Sequence, residues 1–192
     1  MPTTSRPRDL AGRFAGLACT NVLDVLRGLG YVRVYMEGVR TLVPGRKVAG
    51  RAVTVRFLPE RPDLATRAGG AGPCRSGLLP AIATGLGFAQ NATAKAGPTD
   101  ILPAEENVPV ACGGVLVNPG DIIVGDDDGV VVVPGQLAQE VLAKTLHKVE
   151  IEEFIKRRVV AENVSPSKYY PPNERTERLF AESKRRRPRQ GR

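Results

Sequence analysis

The stretch Gly113–Pro134, GGVLVNPGDIIVGDDDGVVVVP, contains the pattern that decides the fold. Within it the β-branched runs 115–117, 122–124 and 130–133 have the composition of short strands buried on both faces. The segment NPGD at 118–121 is typical of a tight turn, and the Asp-Gly pair at 128–129 is a strong hairpin signal. We therefore expect a buried β-meander that leads, after Pro134, into a long helix.

Helical periodicity is clearest on either side of this stretch. Residues 136–160 carry apolar side chains at helical spacing and charged ones between them, which predicts a long amphipathic helix. Residues 20–29 predict a second helix, with Thr20 or Asn21 as its N-cap and Gly30 at its end. Between the two helices, residues 38–58 predict strand, turn and strand, with Val53, Val55 and Phe57 on the buried face.

Length and composition indicate one domain with appendages. The 192 residues are 42% hydrophobic, and no run is long enough to cross a membrane. The N-terminal residues lack the apolar core of a secretory signal, and three widely spaced cysteines favour free thiols, so we expect a cytoplasmic protein. Because His147 is the only histidine, a metal would be held mainly by oxygen ligands.

The net charge of +8 is concentrated at the C-terminus. Residues 184–192 carry six positive charges and no negative ones, which leaves +2 for the rest of the chain. Such a tail can bind nucleic acid, but it contains no aromatic residue to stack on bases. A disordered, solvated basic tail is therefore preferred, and nucleic acid is not the expected partner.

The predicted domain covers residues 1–160 and is followed by an arm over residues 161–183. Tyr169 and Tyr170 precede Pro171 and Pro172, which cannot continue the helix. Aromatic residues beside a rigid Pro-Pro pair predict an extended arm that packs on a neighbouring surface or subunit.

Acidic residues offer several candidate sites. Glu150 and Glu153 lie three apart on the predicted helix, so their carboxylates could hold a divalent cation together, or could be ordinary solvated charges. Asp24 lies within the apolar set of the first helix and is a peripheral candidate. The trio 126–128 is explained by hairpin chemistry without a metal. The glycine-rich loop 67–77 lacks the Gly-Lys-Ser/Thr ending of a phosphate-binding P-loop.

Taken in order, four segments resemble one family. They are NVLDVLRGLG, PGRKVAGRAVTVRF, GGVLVNPGDIIVGDDDGVVVVP with its long helix, and YYPPNERTERLF. Together they are similar to the regulator of ribonuclease activity A (RraA-like) family, which includes 4-hydroxy-4-methyl-2-oxoglutarate aldolases. Some members carry an older label as demethylmenaquinone methyltransferases. The resemblance implies an α/β fold of the swivelling β/β/α type with a C-terminal helix and arm, assembled as a homotrimer or a dimer of trimers.

The resemblance also implies a lyase. Members of the family cleave small 2-oxo acids to pyruvate and decarboxylate oxaloacetate with Mg²⁺ or Mn²⁺. An arginine binds the enolate as it develops. In this sequence the matching arginine is Arg75. Ser76 stands where the family has an aspartate, and Gly69 and Gly70 are what remains of a Gly-Gly-Asp loop. The helix glutamate that completes the metal's water shell from a neighbouring subunit corresponds to Glu150 or Glu153.

Three hypotheses follow. The first is a metal-dependent aldolase and decarboxylase with Arg75 as the catalytic group, and with Arg75, Ser76, Gly69 and Gly70 as the substrate-binding groups. The second is a catalytically impaired relative that acts as a binding or regulatory protein, because the central segment is several tens of residues shorter than in the family. The third is an RNA-associated protein acting through the basic tail.

Overall fold

The computed structural model describes residues 7–59, 88–90 and 101–186. The helices of this part are α1 (Pro7–Gly12), α2 (Cys19–Gly28), α3 (Ala138–Glu162) and α4 (Glu174–Arg186). The strands are β1 (Arg40–Thr41), β2 (Val48–Arg51), β3 (Val55–Pro59), β4 (Phe88–Ala89), β5 (Ile101–Glu106), β6 (Val110–Cys112), β7 (Val115–Val117), β8 (Ile122–Asp126) and β9 (Gly129–Val133). These elements confirm a mixed α/β fold. None of the described helices has the length and apolar character needed to cross a bilayer.

The chain forms two compact units, Met1–Leu142 and Ala143–Arg192. The sequence places the end of the main domain at residue 160, whereas the division between the units falls inside α3. Each unit has its own hydrophobic core.

The first unit is organised around an antiparallel sheet in the order β2–β8–β9. In this sheet Ile122 lies opposite Val133, and every residue of β9 is buried, as the valine run predicts. The predicted meander is wrong at one point: β7 pairs with β6, and the strand beside β8 is β2. The reason is that β6 and β7 form their own hairpin through Gly113 and Gly114, whose positive φ angles of 55° and 75° suit a two-residue turn.

The β8–β9 hairpin turns one residue earlier than the Asp-Gly signal suggests. Asp126 pairs with Gly129, so Asp127 and Asp128 form the turn itself. Gly129 has φ +137°, and a Cβ atom there would lie 2.5 Å from the hydroxyl oxygen of Tyr35. Glycine is therefore required at this position by both the backbone conformation and the close approach of the tyrosine.

Helix α2 ends as the sequence predicts but begins differently. Gly30 has φ +88°, and the amides of Gly30 and Tyr31 donate to the carbonyls of Arg27 and Leu26, which is a Schellman C-cap. At the other end neither predicted N-cap acts, because the helix already starts at Cys19 and its N-cap, Ala18, has no capping side chain. The cap comes instead from Asp126, whose carboxylate accepts from the amide of Cys19 at 2.9 Å.

The predicted alternation around β3 is wrong at three positions, whereas Val55 is half-buried and Arg56 is exposed as expected. Val53 is 61% exposed, Phe57 is 37% exposed and Thr54 is buried. The Thr54 hydroxyl donates to the carbonyl of Val108 at 2.6 Å, and the amide of Asn107 donates to the carbonyl of Thr54 at 2.8 Å. These two hydrogen bonds keep the threonine inside, at the cost of exposing the neighbouring valine.

The second unit is a pair of helices with a buried aromatic cluster. Ile151, Phe154 and Ile155 of α3 pack with Tyr169 and with Phe180 of α4. The segment predicted as an arm thus contains a 3₁₀ turn and a helix that contact α3 of the same chain. Its docking on another subunit stays a prediction. The predicted disordered tail is wrong for residues 184–186, which belong to α4, and residues 187–192 lie outside the described part.

Candidate functional site

The four residues predicted to contact substrate lie outside the described residues. They are Arg75, Ser76, Gly69 and Gly70. Their roles stay predictions from the sequence. The structure does describe the remaining candidates, Glu150 and Glu153 on α3 and Asp24 on α2, where Asp24 is exposed.

Glu150 and Glu153 are brought together, but in the company of two cations. The Glu150 carboxylate forms an ion pair with the ammonium of Lys184 on α4, and both side chains are about half exposed, at 53% and 50%. Both glutamates line a cavity of about 350 Å³ that also contains Arg157 and Lys184. Two carboxylates and two cations leave this cavity electrically balanced, and the Glu150–Lys184 ion pair links α3 to α4.

A neighbouring cavity of about 450 Å³ is lined by Glu162 among other residues of α3 and α4. The Glu162 carboxylate accepts from the Tyr169 hydroxyl at 2.6 Å, from Arg158 Nε at 2.8 Å and from Lys168 Nζ at 3.0 Å. These hydrogen bonds, led by that of Tyr169, lower the pKa of Glu162 to about 2. Sequence reasoning missed this network, because only the chain reversal after α3 brings Lys168 and Tyr169 back to the glutamate.

The acids of the central hairpins are engaged with the backbone. Asp121 accepts from the amides of Asn118 and Gly135 at 2.8 and 3.0 Å. Asp126 accepts from Cys19 and Asp128, and Asp127 accepts from Gly45 at 2.8 Å. These contacts agree with the interpretation of the 126–128 trio as hairpin chemistry.

A divalent cation therefore finds no matching donor set in the described part of the chain. Within residues 7–59, 88–90 and 101–186, no three side chains of the metal-ligating types lie together. A hard dication needs several oxygen ligands around it, and Glu150 and Glu153 share their cavity with Lys184 and Arg157. The described residues do not fit Mg²⁺ or Mn²⁺.

Comparison with known families gives one clear match. Residues 72–132 match a family model described as RraA-like, Aldolase/RraA. This segment is similar to the RraA-like family. It contains the hairpins described above, and in the sequence it also contains Arg75 and Ser76.

Relatives of the chain are found in bacteria and archaea. The chain is 42% identical over 64 residues to a Halalkalibacterium halodurans protein named as a candidate 4-hydroxy-4-methyl-2-oxoglutarate aldolase, and the match covers 33% of this chain and 30% of that protein. It is 42% identical over 74 residues to an uncharacterised protein of Methanocaldococcus jannaschii, covering 38% of this chain and 35% of that one. The chain thus matches about a third of the length of these relatives.

Solved structures match a larger share of the chain. A Streptomyces coelicolor protein described as an unusual member of the RNase ES inhibitor RraA protein family superposes with a TM-score of 0.63 and 28% identity, covering 78% of this chain and 98% of that one. An uncharacterised protein from Pseudomonas syringae superposes with a TM-score of 0.65 and 20% identity, covering 83% and 96%. The second likeness concerns the fold alone.

Proposed function

We propose that this chain is a carbon–carbon lyase that cleaves 4-hydroxy-4-methyl-2-oxoglutarate or a similar 2-oxo acid to pyruvate, with oxaloacetate decarboxylation as a side reaction. The observation that carries the proposal is the match of residues 72–132 to the RraA-like family, since this segment contains Arg75. The identity of 42% over 64 residues with the H. halodurans protein supports the same reaction class.

The proposed chemistry assigns one task to each group. Cleavage of the carbon–carbon bond leaves a pyruvate enolate, whose negative charge must be stabilised as it develops. The Arg75 guanidinium supplies paired N–H donors to the carboxylate and enolate oxygens of the substrate. The Ser76 hydroxyl and the backbone at Gly69 and Gly70 bind the rest of the substrate.

In this proposal the Arg75 guanidinium supplies positive charge to the developing enolate, whether or not a divalent metal ion is bound beside it. The family resemblance implies Mg²⁺ or Mn²⁺, but the described donors do not fit one, and Ser76 offers a neutral hydroxyl where a carboxylate would be expected. Metal dependence is therefore an outcome to be measured. A homotrimer or dimer of trimers, a swivelling β/β/α arrangement and a place in the cytoplasm belong to the same proposal. The free thiols of Cys19 and Cys112 agree with a reducing compartment.

The test is pyruvate release by the purified full chain. The assay couples pyruvate to lactate dehydrogenase, with 4-hydroxy-4-methyl-2-oxoglutarate or oxaloacetate as substrate, and is run with Mg²⁺, with Mn²⁺ and with EDTA. Arg75→Gln should lower kcat by about 10²-fold or more, the usual cost of losing a donor to a developing oxyanion. The matched control is Arg46→Gln, which changes an exposed arginine just before β2 and should keep the wild-type rate.

The lyase proposal fails if no condition gives pyruvate above the uncatalysed rate. It also fails if Arg75→Gln and Arg46→Gln turn over equally.

A second candidate is a regulatory protein that binds a ribonuclease without catalysis of its own. It is favoured by Ser76 in place of the aspartate, by the Lys184 ion pair on Glu150, and by the likeness to the S. coelicolor RNase ES inhibitor family member. Here the purified chain should inhibit cleavage of a fluorogenic RNA by an RNase E-type enzyme, and Arg75→Gln should inhibit as well as wild type. Absence of inhibition at micromolar protein would exclude this candidate.

A further inference from the structure

A small cavity of about 270 Å³ in the first unit lies among residues that neither function proposal uses. Its lining includes Arg27 at the end of α2, Arg33 and Glu37 from the segment that follows, and the Gly113–Gly114 turn of the β6–β7 hairpin. The volume is below that of sites for drug-sized ligands, so only a small molecule would be enclosed.

The walls of this cavity are held by the fold before any ligand arrives. The amide of Glu37 donates to the carbonyl of Gly113 at 2.8 Å, and the amide of Met36 donates to the carbonyl of Val130 at 2.9 Å. A Cβ atom on Gly113 would lie 2.7 Å from the Cβ of Met36, so the turn can approach the segment this closely only as glycine. The hydroxyl of Tyr35, another lining residue, donates to the carbonyl of Asp128 at 3.0 Å.

The charges of the cavity are not balanced. Arg27 and Arg33 are exposed, and neither guanidinium forms an ion pair with a carboxylate within the described segments of the chain. Glu37 is the single acid among the lining residues, so two positive charges face one negative charge. This contrasts with the cavity of the second unit, where Glu150 and Glu153 match two cations.

The shape of the lining matches the charge. Guanidinium groups present paired donors that fit the oxygens of carboxylates and phosphates. Gly113 is buried against Met36, but Gly114 is exposed, has φ +75° and carries no side chain, so an anion can approach its backbone closely. Guanidinium groups and accessible glycine backbone are both features of oxyanion sites.

We propose that Arg27, Arg33 and the Gly113–Gly114 turn form a binding site for a small oxyanion, either a dicarboxylate or inorganic phosphate. The two arginines donate to the oxygens of the anion, and the glycine turn forms part of the wall. Glu37 limits the charge that the site accepts, because its carboxylate repels a highly charged anion. The site stands apart from the lyase proposal, since it uses none of the residues assigned to that reaction.

The test is isothermal titration calorimetry of the purified full chain with inorganic phosphate and, separately, with malonate, in low-salt buffer. Arg27→Gln and Arg33→Gln should each weaken binding about tenfold or more, because each removes charge-assisted hydrogen bonds. Glu37→Gln should strengthen binding severalfold by removing the repelling carboxylate. Arg46→Gln, an exposed arginine outside the lining, is the matched control and should stay within about twofold of wild type.

The ligand class follows from which of the two anions binds more tightly. Circular dichroism of each variant checks that the fold is intact, which we expect because both arginines are exposed. The proposal is overturned if neither anion binds saturably, if Arg46→Gln weakens binding as much as the lining variants, or if Glu37→Gln weakens it. The pyruvate-release test uses variants of other residues. Failure of one proposal therefore does not affect the other.

Discussion

Replacing Asp126 by alanine should destabilise the first unit although no apolar contact is removed. The carboxylate is buried, with 7% of the residue exposed, at the end of β8. One oxygen accepts from the amide of Cys19 at 2.9 Å and the other accepts from the amide of Asp128 at 3.1 Å. The substitution thus uncaps α2 and loosens the β8–β9 turn in one step.

The magnitude follows from the two lost hydrogen bonds. Loss of an N-cap costs about 1 kcal/mol, within a range of roughly 0.5–2 kcal/mol. The Cys19 amide is buried, and leaving a buried donor unpaired costs about 1–3 kcal/mol, a figure that overlaps with the cap rather than adding to it. We expect a loss of about 2–3 kcal/mol for Asp126→Ala once the Asp128 bond is included. For Asp126→Asn, which keeps one acceptor oxygen, we expect about half of that.

The measurement is urea unfolding followed by circular dichroism, with hydrogen exchange of the peptide that contains the first turn of α2. In thermal unfolding, a loss of this size lowers Tm by roughly 5–10 °C in a chain of this length. Exchange of the Cys19 amide should accelerate beyond the global effect, because that amide has lost its acceptor.

The control is Asp127→Ala at the next position of the same turn. Asp127 is exposed and accepts from the amide of Gly45, so its loss should cost less than about 1 kcal/mol. The reasoning is refuted if Asp126→Ala is no more destabilising than Asp127→Ala, or if exchange at Cys19 is unchanged.

Two further predictions concern groups with shifted pKa values. The pKa of Glu162 is lowered from 4.5 to about 2, chiefly by the Tyr169 hydroxyl, so its stabilisation is complete above pH 4.5 and is lost as the pH falls towards 2. The free energy of unfolding measured in urea should therefore fall more steeply between pH 4.5 and pH 2 for the wild type than for Glu162→Gln. Equal slopes would contradict the assignment. Burial raises the pKa of the Cys19 thiol to about 12, whereas Cys112 is exposed. Peptide mapping after iodoacetamide treatment at pH 8 should show Cys112 alkylated and Cys19 protected until unfolding, and equal labelling rates would refute the burial argument.

The sequence located the central hairpin strands and the two predicted helices because their signals are local. Runs of valine and isoleucine marked β7, β8 and β9, and Gly30 marked the end of α2. The long helix was expected over residues 136–160 and is found at Ala138–Glu162 after a 3₁₀ turn. Side-chain period, turn residues and caps act within a few residues, so a linear pattern carries them.

The candidate site was less accessible to sequence reasoning. The pairing of Glu150 with Lys184 depends on two residues 34 positions apart on different helices. The cavity of Arg27 and Arg33 depends on a hairpin more than 75 positions further along the chain, with Gly113 and Gly114 at its turn. Arg75 and Ser76 lie outside the described residues and stay predictions.

By itself, the sequence determined where β7, β8, β9, α2 and the long helix α3 lie, that Gly30 ends α2, and that the hairpin acids have structural uses. Tertiary structure decided that β2 rather than β7 lies beside β8, that Thr54 is buried instead of Val53, and that Asp126 caps a helix 107 residues earlier in the chain. The physical reason is that propensity acts between neighbours. Strand partners and buried hydrogen-bond acceptors, by contrast, depend on distant segments of the chain. Two such segments come together when they can satisfy each other's polar groups while burying apolar surface.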